Sequence, residues 1–268
     1  MGFTSENTAA HHLHAILSRI QGSNASSYAA GWGLALGAEW GSLEFSKKHS
    51  EIVNLLTETV QQLNALPERP RNRYLRYVPS WWTAVIQPVA SWTDTNRPAV
   101  QIIKQDALDH LESAADIIAG TLAGSDAAPR SADLVAMKQQ CGEWLDLLNE
   151  IDELELNGPV RDQLVAQIEH LIWLIDNVEM FGGARVAGEA SRVVGSLAQA
   201  GATLTTSDPN TASRWQKAWF ALIGICLVFN TGAPVVQESI TSGGELFKEI
   251  AAVVQSFEAD EPSAPPVE

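Results

Sequence analysis

The spacing of apolar residues in the second half of the chain is the feature that most constrains its fold. Between residues 131 and 151 they recur at alternating intervals of three and four, and the same spacing returns between 160 and 178. This is the period of an amphipathic α-helix with one apolar stripe. Asn157-Gly158-Pro159 lies between the stripes, where glycine can end one helix and proline can start the next. The stripes are Leu134, Met137, Cys141, Trp144, Leu148, Ile151 and Val160, Leu164, Ile168, Leu171, Ile175, Val178.

Helical periodicity also dominates the rest of the chain. We predict helices over 8–20, 42–66, 184–200, 209–229 and 236–257, and a further helix that Pro98 opens. The segment 184–200 is rich in alanine, glycine and serine, which would let its backbone approach a neighbouring helix closely. No segment alternates polar and apolar residues at period two, and no strand–helix repeat is present. The sequence therefore predicts an all-α, multi-helix bundle.

The charge distribution indicates two helical regions. The net charge is −15, and residues 1–130 hold 10 Lys/Arg against 12 Asp/Glu, whereas residues 131–268 hold 7 against 20. The shift coincides with Gly124–Pro129, a small polar segment that suits a linker. We predict two packed regions, 1–124 and 131–257, joined by that short linker, and a disordered acidic tail over 258–268. A surface this negative disfavours binding to nucleic acid.

No motif in the sequence specifies an enzyme, a cofactor or a metal site. His11, His12 and His14 form a histidine cluster, but the three or four ligands of a zinc site are not in evidence. The acids between 143 and 155 lie on the polar face of a predicted helix, which is typical of a solvated surface. We therefore predict no enzymatic activity, no cofactor, no metal and no small-molecule ligand, although a site assembled between the two regions would escape sequence patterns.

The segment 67–97 combines prolines, arginines and aromatic residues, and we predict a loop there with only short helical pieces. Four of the chain's 17 Lys/Arg residues lie inside this segment, in a stretch of eight consecutive positions. Arginine, tyrosine and tryptophan are enriched at the energetic centres of protein interfaces. Internal pairing of these arginines with acids of the second half, or binding to nucleic acid, are the other interpretations. The predicted partner-binding residues are Arg69, Arg71, Arg73, Tyr74, Arg76, Tyr77, Trp81 and Trp82.

An apolar run of 12 uncharged residues extends from Ala218 to Phe229. A bilayer requires about 20 predominantly apolar residues, so we interpret the run as a buried helix of a bundle. The alternative is a membrane-inserting segment over 215–236, with tryptophans as interfacial anchors at one end. Its predicted membrane-contacting residues are Trp215, Trp219, Phe220, Leu222, Ile223, Ile225, Leu227 and Phe229.

These patterns together favour a non-enzymatic protein that acts by binding another macromolecule. The expected partner is a protein or a second copy of this chain, and a membrane-active helical effector is the alternative. Residues 1–20 lack the unbroken apolar stretch of a signal peptide, and Cys141 and Cys226 both lie within apolar helical patterns. We therefore expect a cytoplasmic protein with reduced thiols, membrane-associated if the alternative holds.

Overall fold

A computed structural model describes residues 8–88, 90–121, 131–152, 155–203 and 209–229. Within these ranges the chain forms eleven α-helices, one short 3-10 turn and no strand, which confirms the predicted all-α fold. The predicted helix over 236–257 and the tail over 258–268 lie outside them. The helices are α1 (Ala9–Gln21), α2 (Tyr28–Leu36), α3 (Leu43–Ala65), α4 (Glu68–Leu75), α5 (Val78–Val85), α6 (Gln105–Thr121), α7 (Ser131–Glu150), α8 (Gly158–Asp176), α9 (Val178–Phe181), α10 (Gly183–Thr203) and α11 (Pro209–Phe229).

The chain divides into two compact units. The first comprises residues 1–128 and 176–186, and the second comprises residues 129–175 and 187–268. The first unit thus contains α1 to α6, α9 and the first turn of α10, while the second contains α7, α8, α11 and the remainder of α10. The predicted regions 1–124 and 131–257 stay a prediction.

Helix α1 lies at the centre of the first unit. It begins at Thr8, whose hydroxyl accepts a hydrogen bond from the backbone N–H of His11, as an N-cap residue does. It packs against α2, α3, α6 and α9, which is why its apolar residues are buried on more than one side. The buried residues are Ala9, Ala10, Leu13, Ile16, Leu17 and Ile20.

The segment 67–97 is not simply a loop, because α4 and α5 occupy its first part as helices of eight residues each. Its prolines allow this by their positions. Pro67 is the N-cap of α4, Pro70 lies in the first turn, and Pro79 lies in the first turn of α5. The first backbone N–H groups of a helix have no acceptor within the helix, so proline loses no hydrogen bond there.

The helix expected to begin at Pro98 starts instead at Gln105, so that prediction was wrong. A 3-10 turn over Ala99–Gln101 precedes it. The backbone N–H of Ala99 donates to the carbonyl of Ala25 over 3.0 Å, and Gly31 lies so close to Ala99 that a Cβ on the glycine would be 2.5 Å from the alanine Cβ. These tertiary contacts hold the chain in a turn that a continuous helix could not form.

The second unit buries most residues of the two apolar stripes that the sequence predicts. On α7 the buried residues include Met137, Cys141 and Trp144, and on α8 they include Leu164, Ile168 and Leu171. Helix α7 packs closely against α11, where the Trp144 and Trp215 rings meet edge to face with centroids 4.8 Å apart.

Close backbone approach in α10 occurs at a different glycine from those expected within 184–200. A Cβ on Gly188 or Gly195 would meet no described atom within 4 Å, whereas one on Gly201 would lie 2.6 Å from the Trp215 indole nitrogen. The close approach that the structure describes on α10 is therefore at Gly201, on which the tryptophan of α11 packs.

Candidate functional site

Three of the four clustered arginines form a row on the exposed face of α4. Arg69, Arg73 and Arg76 are separated by four and three residues, and all three are exposed. Side chains at these intervals project from the same side of a helix. Arg76 is the C-cap of α4 and retains the helical backbone conformation, so it continues the row. We call these three residues the arginine row.

Two of the predicted partner-binding aromatics are instead structural anchors. Tyr74 is buried and its hydroxyl lies 3.1 Å from the Ser113 hydroxyl. Trp81 is also fully buried, and its indole N–H donates to the Ala107 carbonyl over 2.8 Å. Ser113 and Ala107 both belong to α6, so these two buried aromatics fasten α4 and α5 to that helix.

Tyr77 and Trp82 remain accessible on the same two-helix segment. The Tyr77 ring stacks on the His110 imidazole with centroids 3.9 Å apart, and the Arg76 guanidinium lies 5.5 Å from the Tyr77 centroid. Cation–π contact at this distance favours one orientation of the arginine. Trp82 is 49% exposed, which is unusual for so large an apolar side chain. Contact with Arg76 joins Tyr77 to the arginine row. We give the name basic–aromatic surface to the row, Tyr77 and the exposed Trp82 of the following helix.

The arginines of this surface have no carboxylate partner among the described residues of their own unit. Arg76 donates only to the backbone carbonyl of Arg73. Arg71, which is half-buried, likewise forms no ion pair there. Elsewhere in the unit Arg185 pairs with Glu51 and Lys48 donates to the Leu36 carbonyl. The exposed Lys47, Arg97 and Lys104 form no ion pair among its described residues either, but they lie apart from one another in the sequence. The basic–aromatic surface is therefore a concentration of unneutralised positive charge within an acidic protein.

The second predicted surface, on α11, is divided between core and solvent. Trp215, Trp219 and Leu222 are buried, Ile223 is half-buried and Phe220 is 53% exposed. The side chains of Ile225, Leu227 and Phe229 lie outside the described residues. Among the helices that the structure describes, none combines the length and the apolar character needed to span a bilayer.

The clustered histidines of α1 lie in different environments. The imidazole of His11 lies 3.4 Å from the Asp116 carboxylate, whereas His12 is largely buried against Gly182. Burial lowers the pKa of His12, and the neighbouring His11 lowers it further. Within the described ranges no three His, Cys, Asp or Glu side chains come together as metal ligands would.

A buried ion pair and an aromatic cluster escaped the sequence patterns. Glu51 of α3 pairs with Arg185 at the start of α10. The only sign of this pair in the sequence is that Glu51 lies four residues before Leu55, so the acid shares a helix face with a buried apolar residue. Five rings of the first unit pack with centroids 4.7–6.3 Å apart, which is the separation of rings in direct contact. The cluster is thus part of the packing. It comprises Trp32, Trp40, Phe45, His49 and Trp92.

Comparison with protein-family models, with curated proteins and with solved structures finds no match.

Proposed function

We propose that this chain is a non-enzymatic intracellular protein that acts by binding another protein through the basic–aromatic surface. One observation carries the proposal: three exposed arginines stand in a row with no carboxylate of their own unit to neutralise them. Guanidinium groups bind carboxylates through two parallel hydrogen bonds, so the complementary surface is acidic. Trp82, beyond the row, supplies the apolar contact that binding centres commonly contain.

Protein is favoured over nucleic acid because of the charge around the surface. A nucleic acid extends well beyond one row of three arginines and meets the rest of a chain whose net charge is −15. Repulsion of the phosphates by that field opposes binding. An acidic protein patch is limited in extent, so it can contact the arginines without crossing the negative surface.

Replacing the row tests the proposal. The variant R69A/R73A/R76A removes three exposed charges and keeps the half-buried Arg71. The matched control K47A/R97A/K104A removes three exposed charges elsewhere in the same unit. A photo-crosslinking residue at the exposed Asn72 of α4 identifies directly which protein contacts this surface in an extract of the native source. Exposed substitutions of this kind change stability by only about 0.5 kcal/mol, so both variants should retain full helicity by circular dichroism.

We expect the crosslinked protein to disappear with the row variant and to remain with the control. Equal recovery from all three proteins would refute the role of the surface. Equal loss from both variants would show that total charge, not this site, governs the interaction.

The membrane-active alternative is the less supported proposal. Trp215, Trp219 and Leu222, which it would place in a bilayer, pack inside the second unit, so insertion would require that unit to open. Flotation of the protein with zwitterionic vesicles, which its net charge of −15 does not repel, checks it: comigration that W219A abolishes would favour the alternative, and protein left at the bottom of the gradient would oppose it.

A further inference from the structure

The arginine row has a counterpart of opposite charge on α7. Glu143, Asp146 and Glu150 are all exposed and are separated by three and four residues. They therefore form a second row on one helix face, which we call the acidic row. The opposite face of α7 is fixed in the core by residues such as Trp144 and Leu148, so the carboxylates have a defined direction towards solvent.

The two rows match when the helices run antiparallel. The arginine row has intervals of four and then three, and the acidic row read backwards from Glu150 has the same intervals. The first and last residues of each row are seven positions apart, or about 10 Å at the helical rise. In that alignment three pairs face each other, namely Arg69 with Glu150, Arg73 with Asp146 and Arg76 with Glu143.

The carboxylates of the acidic row are open to a further cation. Within the described residues Asp146 has no ion pair or hydrogen bond from its side chain. Glu143 accepts hydrogen bonds from the amides of Gln139 and Gln140, which are neutral and leave its charge in place. Glu150 pairs with Arg214, and both side chains are about half exposed, so this end of the row contributes least.

We propose that the occupant of the arginine row is a second copy of this chain, which presents its acidic row. The inference rests on the proposed function and names the partner of the same surface. Each copy carries one arginine row and one acidic row, so the contact between copies either is made twice in a closed two-fold pair or is repeated head-to-tail into rings and open chains. The contacts are exposed ion pairs, so the association weakens as salt screens the charges.

Paired charge reversals test the inference on the full-length chain. R73E/R76E makes both rows negative apart from Arg69, and E143K/D146K makes both rows positive apart from Glu150. K47E/R97E is the matched control for the first variant, since it reverses two exposed charges elsewhere in the same unit. Sedimentation velocity at about 20 mM and about 500 mM salt measures association under weak and strong screening, and circular dichroism checks that every variant is helical.

We expect the sedimentation coefficient of the unmodified protein to rise with concentration at low salt and to return to that of the monomer at high salt. Each row variant alone should remain monomeric, whereas an equal mixture of the two should associate again, because opposite charges then face each other. The control should behave as the unmodified protein does. Restoration by mixing is the decisive result, since a variant that had merely lost its fold could not produce it.

An unmodified protein that is monomeric at every concentration would overturn the inference, and so would a mixture that stays monomeric. Association that persists unchanged in R73E/R76E would also overturn it. If the chain is monomeric but the row variant still loses a crosslinked protein, the proposed function stands and only the second copy is refuted. If the arginine-row variants change neither the crosslinked protein nor the sedimentation coefficient, both proposals fail.

Discussion

The buried ion pair between Glu51 and Arg185 should hold residues 176–186 on the first unit. The arginine Nε lies 2.6 Å from one carboxylate oxygen, and its Nη2 lies 3.4 Å from the other. The side chain of Glu51 is only 4% exposed and that of Arg185 only 10%. The amide of Asn54 also donates to the carboxylate, over 3.2 Å. Neither charge can regain full hydration if its partner is removed.

Removing one partner should therefore be costly. Breaking a buried ion pair in this way typically costs about 3–5 kcal/mol, because the remaining charge stays buried without its opposite charge. We expect the loss in R185M to lie near the upper end of this range, because it leaves the more deeply buried carboxylate without its arginine. The loss in E51Q should lie near the lower end, because the arginine that remains is more exposed. Replacing both residues by apolar ones, in E51M/R185M, should recover most of the loss, as such replacements are often neutral.

Urea unfolding followed by circular dichroism measures these differences. With a slope of about 2 kcal/mol per M, a loss of about 3 kcal/mol lowers the midpoint by about 1.5 M. Hydrogen exchange should locate the change, with protection lost first in residues 176–186 and in α3. Single variants within about 1 kcal/mol of the unmodified protein would refute the reasoning, and so would a double variant whose loss equals the sum of the two single losses.

Three further predictions concern the interior. The free energy of unfolding of G182A should be about 1–3 kcal/mol lower in the same assay, because Gly182 has φ +85 and a Cβ at this position would lie 2.4 Å from the His12 imidazole. An unchanged urea midpoint would contradict this. Burial lowers the pKa of His12 and His49 from the ordinary 6.5. As the pH falls through 6.5, these histidines are therefore protonated in the unfolded chain before they are protonated in the folded protein. Stability should therefore fall as pH drops from 6.5, and a urea midpoint that rises on acidification would oppose the assignment. Burial raises the pKa of Cys141 from 9.0 to about 12, so its alkylation at pH 8, followed by peptide mapping, should be roughly a thousandfold slower in the folded protein than in urea; equal rates would refute it.

The candidate surface shows how much of a site a sequence pattern can predict. The arginine cluster was recognisable from composition, and the spacing of Arg69, Arg73 and Arg76 already placed them on one helix face once α4 was known. The roles of the aromatics were not recognisable. Trp81 and Trp82 are adjacent and chemically identical, yet one is fully buried, with its indole N–H bonded to the Ala107 carbonyl, and the other is half exposed.

Local physical chemistry determined the long helices α3, α7 and α8 from the sequence alone. The apolar stripes of α7 and α8 specify helical period without reference to any neighbour, and Ser42 predicts the start of α3 through the hydrogen bond that its hydroxyl accepts from the Phe45 N–H. Such interactions span three or four residues, so the sequence contains them directly.

Tertiary structure alone decided which faces of those helices meet. The Glu51–Arg185 pair joins residues 134 positions apart, and the turn at Ala99 depends on the backbone of Ala25. No local pattern encodes such partners, because they are selected by the shape and the burial of the whole unit. For the same reason, the arginine row was predictable as a basic cluster, but only the fold left it exposed and unpaired in its own unit.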